Sequence, residues 1–362
     1  MQRSLVLVLV LVWWVSSALT LREQARGLAW AAASQWRVAP PIQAAPAVPV
    51  RLVAPEEPWE DVIQDIRAHL GPESRGRDVR VGFYGHGAFV APAQVQQDTP
   101  FIAALGAAAA MEVMVLPHWQ FPVTLPWQDL SRQLLQAQPQ QLLQFPGETL
   151  VELLRHQVRQ FAVENRYATA HAAVRLAAGL RAFHHQHMTP SLAAFSNSAL
   201  VLVRLGQLLE HGRLWDGSTT LTVPEAVRQE LAVQNIVMFG YPLPNGQVSA
   251  ALGQRTRGTV TNVVPTQCWQ QWQGNFLLRG AVHNLRVAWA PGHTQWPRLA
   301  PHSPEVATLG GLLGGQGAAP YRGPEALVAP RPPAGPTGVA RLWEALCTEL
   351  QHVDASDLWE VP

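Results

Sequence analysis

Short apolar runs alternate with longer stretches of helical periodicity through the middle of the chain, and glycine or proline marks most of the joints. PWEDVIQDIRAHLG has acidic residues in its first turns, apolar spacing at Val62, Ile66 and Leu70, and a stop at Gly71, which predicts a helix. DVRVGFYGHGAFVAP reads as a strand up to Tyr84 and then a glycine-punctuated loop. DTPFIAALGAAAA follows as a helix, and MEVMVLPHW as a short buried strand ended by Pro117. A long helical region covers residues 127–187, broken near residues 145–147. MTPSLAAFSNSA reads as strand plus turn, LVLVRLGQLLEHG as a helix closed by Gly212, and VQNIVMFGYPLP as another strand. Residues 259–264 and LRGAVHNLRVAWAPGH supply two more strands. Strands alternating with helices predict an α/β fold with a mostly parallel sheet flanked by helices on both faces.

The two ends have a different texture. MQRSLVLVLVLVWWVSSALTL carries one Arg, an apolar run over residues 5–15 and small residues over 16–18, so residues 1–20 fit a signal peptide. An uncleaved membrane anchor is the alternative. Both imply export, to the exterior or the cell envelope, and the second implies membrane association through this segment. Residues 21–57 run from an Ala/Arg/Gln stretch into VAPPIQAAPAVPVRLVAPEEP, whose prolines remove backbone donors and predict an extended linker. The folded domain is expected over residues 58–304. Residues 305–362 contain GGLLGGQGAAP and APRPPAGP and are expected to form a flexible tail with one terminal helix, GVARLWEALCTEL.

Charge narrows the range of partners. The formal net charge is +1 with 14% charged residues, which gives no electrostatic reason to expect nucleic acid. All 26 basic residues are Arg. The absence of Lys excludes a phosphate-loop lysine, a Schiff-base lysine and a Ser-Lys dyad. The two cysteines, Cys268 and Cys347, are far apart and show no ligand spacing, so a disulfide is open and a metal site is not indicated. His184, His185 and His187 stand together without a neighbouring carboxylate in sequence, and a solvated helix end accounts for them.

Ligands of an open parallel sheet sit beyond the carboxyl ends of its strands. Four loops leave such ends with suggestive residues: Gly85-His86-Gly87-Ala88, Phe195-Ser196-Asn197-Ser198, Gly240-Tyr241-Pro242 and Gly292-His293-Thr294. In these motifs and their order, over about residues 79–304, the chain resembles the α/β-hydrolase family, in particular its lipases and esterases. The resemblance implies an α/β-hydrolase-like domain in which Ala194-Phe195-Ser196-Asn197-Ser198 stands for the Gly-x-Ser-x-Gly nucleophile elbow. Ser196 would then be the nucleophile and His293 its base, while the N–H of Asn197 and that of Ala88 or Phe89 would hold the oxyanion. No cofactor or metal is implied, and the substrate would be a small-molecule or lipid ester.

The sequence departs from that family in its acid. Between Tyr241 and Pro304 there is neither Asp nor Glu, and Thr266 or Gln267 stands where the acid belongs. Gln267 can accept from an imidazole but cannot stabilise its charged form, a loss of about four orders of magnitude in a comparable triad. Asp216, Glu225, Glu230 and Glu305 lie outside that stretch. The rival expectation is a degenerate hydrolase fold that serves as a binding or scaffold module. Trp269, Trp272, Trp289 and Trp296 near the proposed site are expected to pack in a core or interface, with an apolar acyl pocket as the alternative.

Overall fold

The computed structural model describes residues 48–74, 76–87, 97–121, 147–242, 246–265, 277–287, 296 and 299–315. Seven strands form one sheet: β1 (Val50–Val53), β2 (Val81–Gly85), β3 (Val113–Pro117), β4 (Ser191–Phe195), β7 (Ile236–Phe239), β9 (Val260–Pro265) and β11 (His283–Val287). Their spatial order is β1-β3-β2-β4-β7-β9-β11, and every pairing is parallel. Two small sheets lie outside it, an antiparallel hairpin of β5 (Arg213–Trp215) and β6 (Thr220–Thr222), and a pair of β8 (Gln247–Val248) with β10 (Arg279–Gly280). The protein is an α/β fold with flanking helices.

Parallel strands covered on both faces must be apolar at nearly every position, and the central strands β2, β3, β4 and β7 are. The faces separate with the strand period of two: Phe83, Leu192, Ala194, Ile236 and Met238 enter one core, and Tyr84, Ala193, Phe195, Val237 and Phe239 enter the other. The first core is closed by α1 (Trp59–Leu70), α3 (Gly147–His185) and α4 (Asn197–His211). The second is closed by α2 (Thr99–Ala108) and α7 (Pro304–Gly314), with the fully buried Trp296. Two short helices, α5 (Glu225–Glu230) and α6 (Ala250–Arg255), and a 3₁₀ turn at Pro72–Ser74 complete the described elements.

Two elements stand in stretches read from the sequence as linker or tail, and the strand read in LRGAVHNLRVAWAPGH divides into β10 and β11 of different sheets. The VRLV of β1 falls within the proline-rich stretch read as a linker, yet it pairs with β3 from Val50↔Met114 to Val53↔Pro117. Pro49 and Pro55 bracket the strand without interrupting its ladder. Similarly, α7 lies in the glycine-rich stretch read as the start of a flexible tail. Its glycines serve close helix packing: a Cβ on Gly310 would come within 2.3 Å of the Ala108 Cβ on α2. Ser303 caps α7 by accepting from the Val306 N–H, and Leu309 and Leu313 are fully buried.

The chain order fixes where a ligand would meet the sheet. From β2 the chain crosses to β3 on one side, and from β3 it returns past β2 to β4 on the other. The connections leaving β2 and β4 therefore lead to opposite sides of the sheet, and the crevice beyond the carboxyl ends of two such strands is where open α/β sheets hold their ligands. Glycine 85 and Ala194 are partners in that register, so both loops leave the sheet at one level.

Candidate functional site

Ser196 lies between the last residue of β4 and the first of α4, with φ 53° and ψ −115°. That backbone region is sparsely populated for a residue with a Cβ and costs of order 1–3 kcal/mol, so its surroundings must hold it there. Several contacts do so. The Ser196 N–H donates to the Phe239 carbonyl at the end of β7 (3.0 Å), and the Ser196 carbonyl accepts the Ala199 N–H (3.0 Å). The strand-to-helix turn is therefore pinned from both sides, and Ser196 is 7% exposed.

Small neighbours make room for this turn. A Cβ at Gly87 would lie 3.2 Å from the Ser196 Cβ and 3.0 Å from a Phe195 ring carbon. The sequence has Ser198 where the hydrolase pattern has its second glycine, and the facing strand supplies the missing space. A Cβ at Gly85 would sit 2.5 Å from the Ser198 Cβ. The Ser198 hydroxyl instead donates to the His86 carbonyl (2.6 Å), tying the amino end of α4 to the loop after β2.

His86 is a brace in that loop. The Trp119 N–H can only donate, so Nε2 of His86 accepts from it (3.1 Å) and the proton sits on Nδ1, which donates to the Gly87 carbonyl (2.7 Å). Burial lowers the imidazole pKa to about 4; the Gly87 carbonyl opposes this, and the nearby His118 adds to it. The ring, stacked on His118 and edge-on to Phe121, is neutral at neutral pH with both nitrogens engaged. It serves to join the loop after β2 to the loop after β3.

Ser196 occupies the N-cap position of α4, and among the described residues its side chain makes no capping hydrogen bond to the first turn. Ser198 is directed to His86, and the Asn197 amide is paired with Asn165 on α3 in both directions, at 3.0 Å and 2.6 Å. First-turn N–H groups have no intrahelical acceptor, and the helix dipole concentrates positive potential there. An oxygen carrying developing negative charge would find donors at this end. A small cavity of about 20 Å³ lies beneath, bordered by Gly85, Trp119 and Ser198.

Of the residues singled out in the sequence, Ser196 and Asn197 are adjacent at the crevice. His293, Ala88, Phe89 and Gln267 lie outside the described residues, as do Thr266, Cys268, Cys347, Trp269, Trp272, Trp289 and residues 1–47. Among the described residues no helix is long and apolar enough to cross a membrane. Tyr241 is buried behind Gly240, and Trp296 packs on Phe239 with ring centroids 5.2 Å apart.

The carboxylates left over in the sequence have separate placements. Asp216 accepts from the N–H groups of Ser218 and Thr219 (both 2.7 Å), from both their hydroxyls and from His171 Nε2 (2.9 Å). Burial raises its carboxyl pKa, but the donors from Thr219, Ser218 and His171 outweigh that and hold it well below the usual range. Glu230 binds Arg181 and His185, which gives the His184–His187 cluster a carboxylate that the sequence spacing did not reveal. Among the described residues no group of three or more His, Cys, Asp and Glu side chains could hold a metal ion. Glu305, in the first turn of α7, is buried, and its Oε2 has no hydrogen-bond partner among the described residues.

No family model matches the chain, and neither a curated protein nor a solved structure does.

Proposed function

We propose that the protein is an exported serine hydrolase acting on carboxylic esters, with an α/β-hydrolase-like domain. The observation that carries the reading is the strained backbone of Ser196 at a strand-to-helix turn, on the crevice between β2 and β4. The sheet order supports the family resemblance, as does the division of helices into α2 and α7 on one face and α1, α3 and α4 on the other. In this scheme the Ser196 hydroxyl attacks an ester carbonyl as His293 takes its proton, and the same imidazole later protonates the leaving alkoxide. The Asn197 N–H donates to the oxyanion. His86 holds the Gly87 carbonyl, and the N–H of that same peptide unit belongs to Ala88, the second proposed donor. Water then resolves the acyl-enzyme, and no cofactor is required.

Turnover of p-nitrophenyl esters of graded acyl length by the purified chain tests this reading. Hydrolysis should be lost in Ser196→Ala and in His293→Ala. Equal hydrolysis by wild type and Ser196→Ala would contradict it.

A second reading is favoured by a specific observation. Neither Asp nor Glu occurs between Tyr241 and Pro304, and Asp216 and Glu230 are already bound to other groups. A degenerate hydrolase fold that serves as a binding or scaffold module in the cell envelope would keep the elbow without needing the acid. Wild-type protein that is folded but inert in the same assay supports it.

A further inference from the structure

We infer that Asn165 is a positioning residue for the Ser196 elbow, acting through Asn197; the inference rests on the hydrolase reading above. Asn165 lies on α3, and its side chain makes a reciprocal amide pair with Asn197, the first residue of α4: Asn165 Nδ2 donates to Asn197 Oδ1 at 3.0 Å, and Asn197 Nδ2 donates to Asn165 Oδ1 at 2.6 Å. The α3–α4 contact does not need such a pair to hold together. Further along α3 it is built from Ala170, Ala173, Ala177 and Leu180, all fully buried, against Leu205 and Leu208 of α4. Two paired amides contribute little net stability compared with apolar groups of the same shape.

What the pair does contribute is direction. An asparagine at a helix start tends to fold back on the orphan N–H groups of the first turn. Held in this pair, the Asn197 amide is directed toward α3, away from the N–H groups that the proposed reaction uses. The pair also fixes the rotation of the Asn197 residue, and with it the aim of the Asn197 N–H toward an oxygen bound at Ser196. Oxyanion stabilisation depends on donors already in place, and a displacement of about 1 Å at such a site can cost about a hundredfold in rate.

The test uses the full chain with Asn165→Leu, Asn165→Asp, Asn197→Ala and the Asn165→Leu/Asn197→Ala double variant. Reactive serine is titrated with a fluorophosphonate, and kcat per titrated serine and KM are measured on p-nitrophenyl butyrate. Asn165→Leu should lower kcat per titrated serine by about tenfold to a hundredfold, with KM changed by no more than about twofold. Asn165→Asp should lower it further, because a carboxylate would then stand near the developing oxyanion. The double variant should be no slower than Asn165→Leu, since both changes break one contact. A purely structural role would instead reduce the titratable fraction and the melting temperature while leaving kcat per titrated serine unchanged in both Leu and Asp variants, and that result overturns the inference. Wild-type protein that neither labels nor turns over ester overturns the hydrolase reading, and the inference falls with it. Normal wild-type activity with unaffected variants overturns the inference alone.

Discussion

Two polar turns lean on the same part of α3 and resolve their chemistry in opposite ways. At the Asp216 turn, one buried carboxylate collects two N–H groups, two hydroxyls and the His171 ring, so donors and acceptor satisfy one another. At the Ser196 turn the backbone is strained, the polar side chains of Asn197 and Ser198 are directed to Asn165 and His86, and the Ser196 side chain makes no capping bond to α4 among the described residues. A turn that serves stability alone has no reason to remain in a costly backbone conformation. Strain and open donors held in place by surrounding structure are what a site for an external oxygen requires. The contrast supports the proposal that Asp216 serves structure and Ser196 the hydrolase reaction.

Removing each key side chain sharpens that division. Ser196→Ala should abolish fluorophosphonate labelling and lower ester turnover by about a hundredfold, the part of a triad's rate that remains to be lost where the acid is already missing, with the melting temperature preserved. Asp216→Ala should do the reverse: a loss of about 4 kcal/mol in denaturant unfolding, with labelling retained by the folded fraction. If both changes affected labelling and neither affected stability, the two turns would not be different in kind.

Acid titration adds a third comparison. The His86 pKa is lowered from 6.5 to about 4, so the folded state resists a proton that the unfolded chain accepts. Its contribution is present above about pH 6.5 and is lost as the pH falls toward 4, about 3 kcal/mol in all. In His86→Gln the dependence of unfolding free energy on pH should flatten across that window, whereas in Asp216→Asn it should persist there, because the Asp216 carboxyl titrates at lower pH. The smallest expected effect is a gain: Ser196→Gly should stabilise the fold by about 1 kcal/mol by relieving the positive-φ strain, while ending labelling.

Much of the sheet was legible because its strands are short apolar runs bounded by glycine or proline, as in MEVMVLPHW and VQNIVMFGYPLP. The four residues of β1 were not, because only pairing with β3, more than sixty residues on, makes a strand of VRLV. Glycines in GGLLGG suggested a flexible tail, whereas Gly310 is there to let α7 approach Ala108. Ser196 stood out through its small neighbours. The accommodation of Ser198 by Gly85 did not, since it joins the end of one strand to the start of a helix more than a hundred residues on, and Asn165 carried no local signal inside a long helix. Contacts of that kind arise from the fold and leave no spacing to read.

The central claim is that Ser196 is an activated nucleophile, and the most direct measurement is peptide mapping of the intact chain after reaction with a fluorophosphonate. The account predicts a single adduct, on Ser196, whose formation is suppressed in His293→Ala. Folded protein that takes up no probe, or an adduct on another serine that persists in Ser196→Ala, would contradict it.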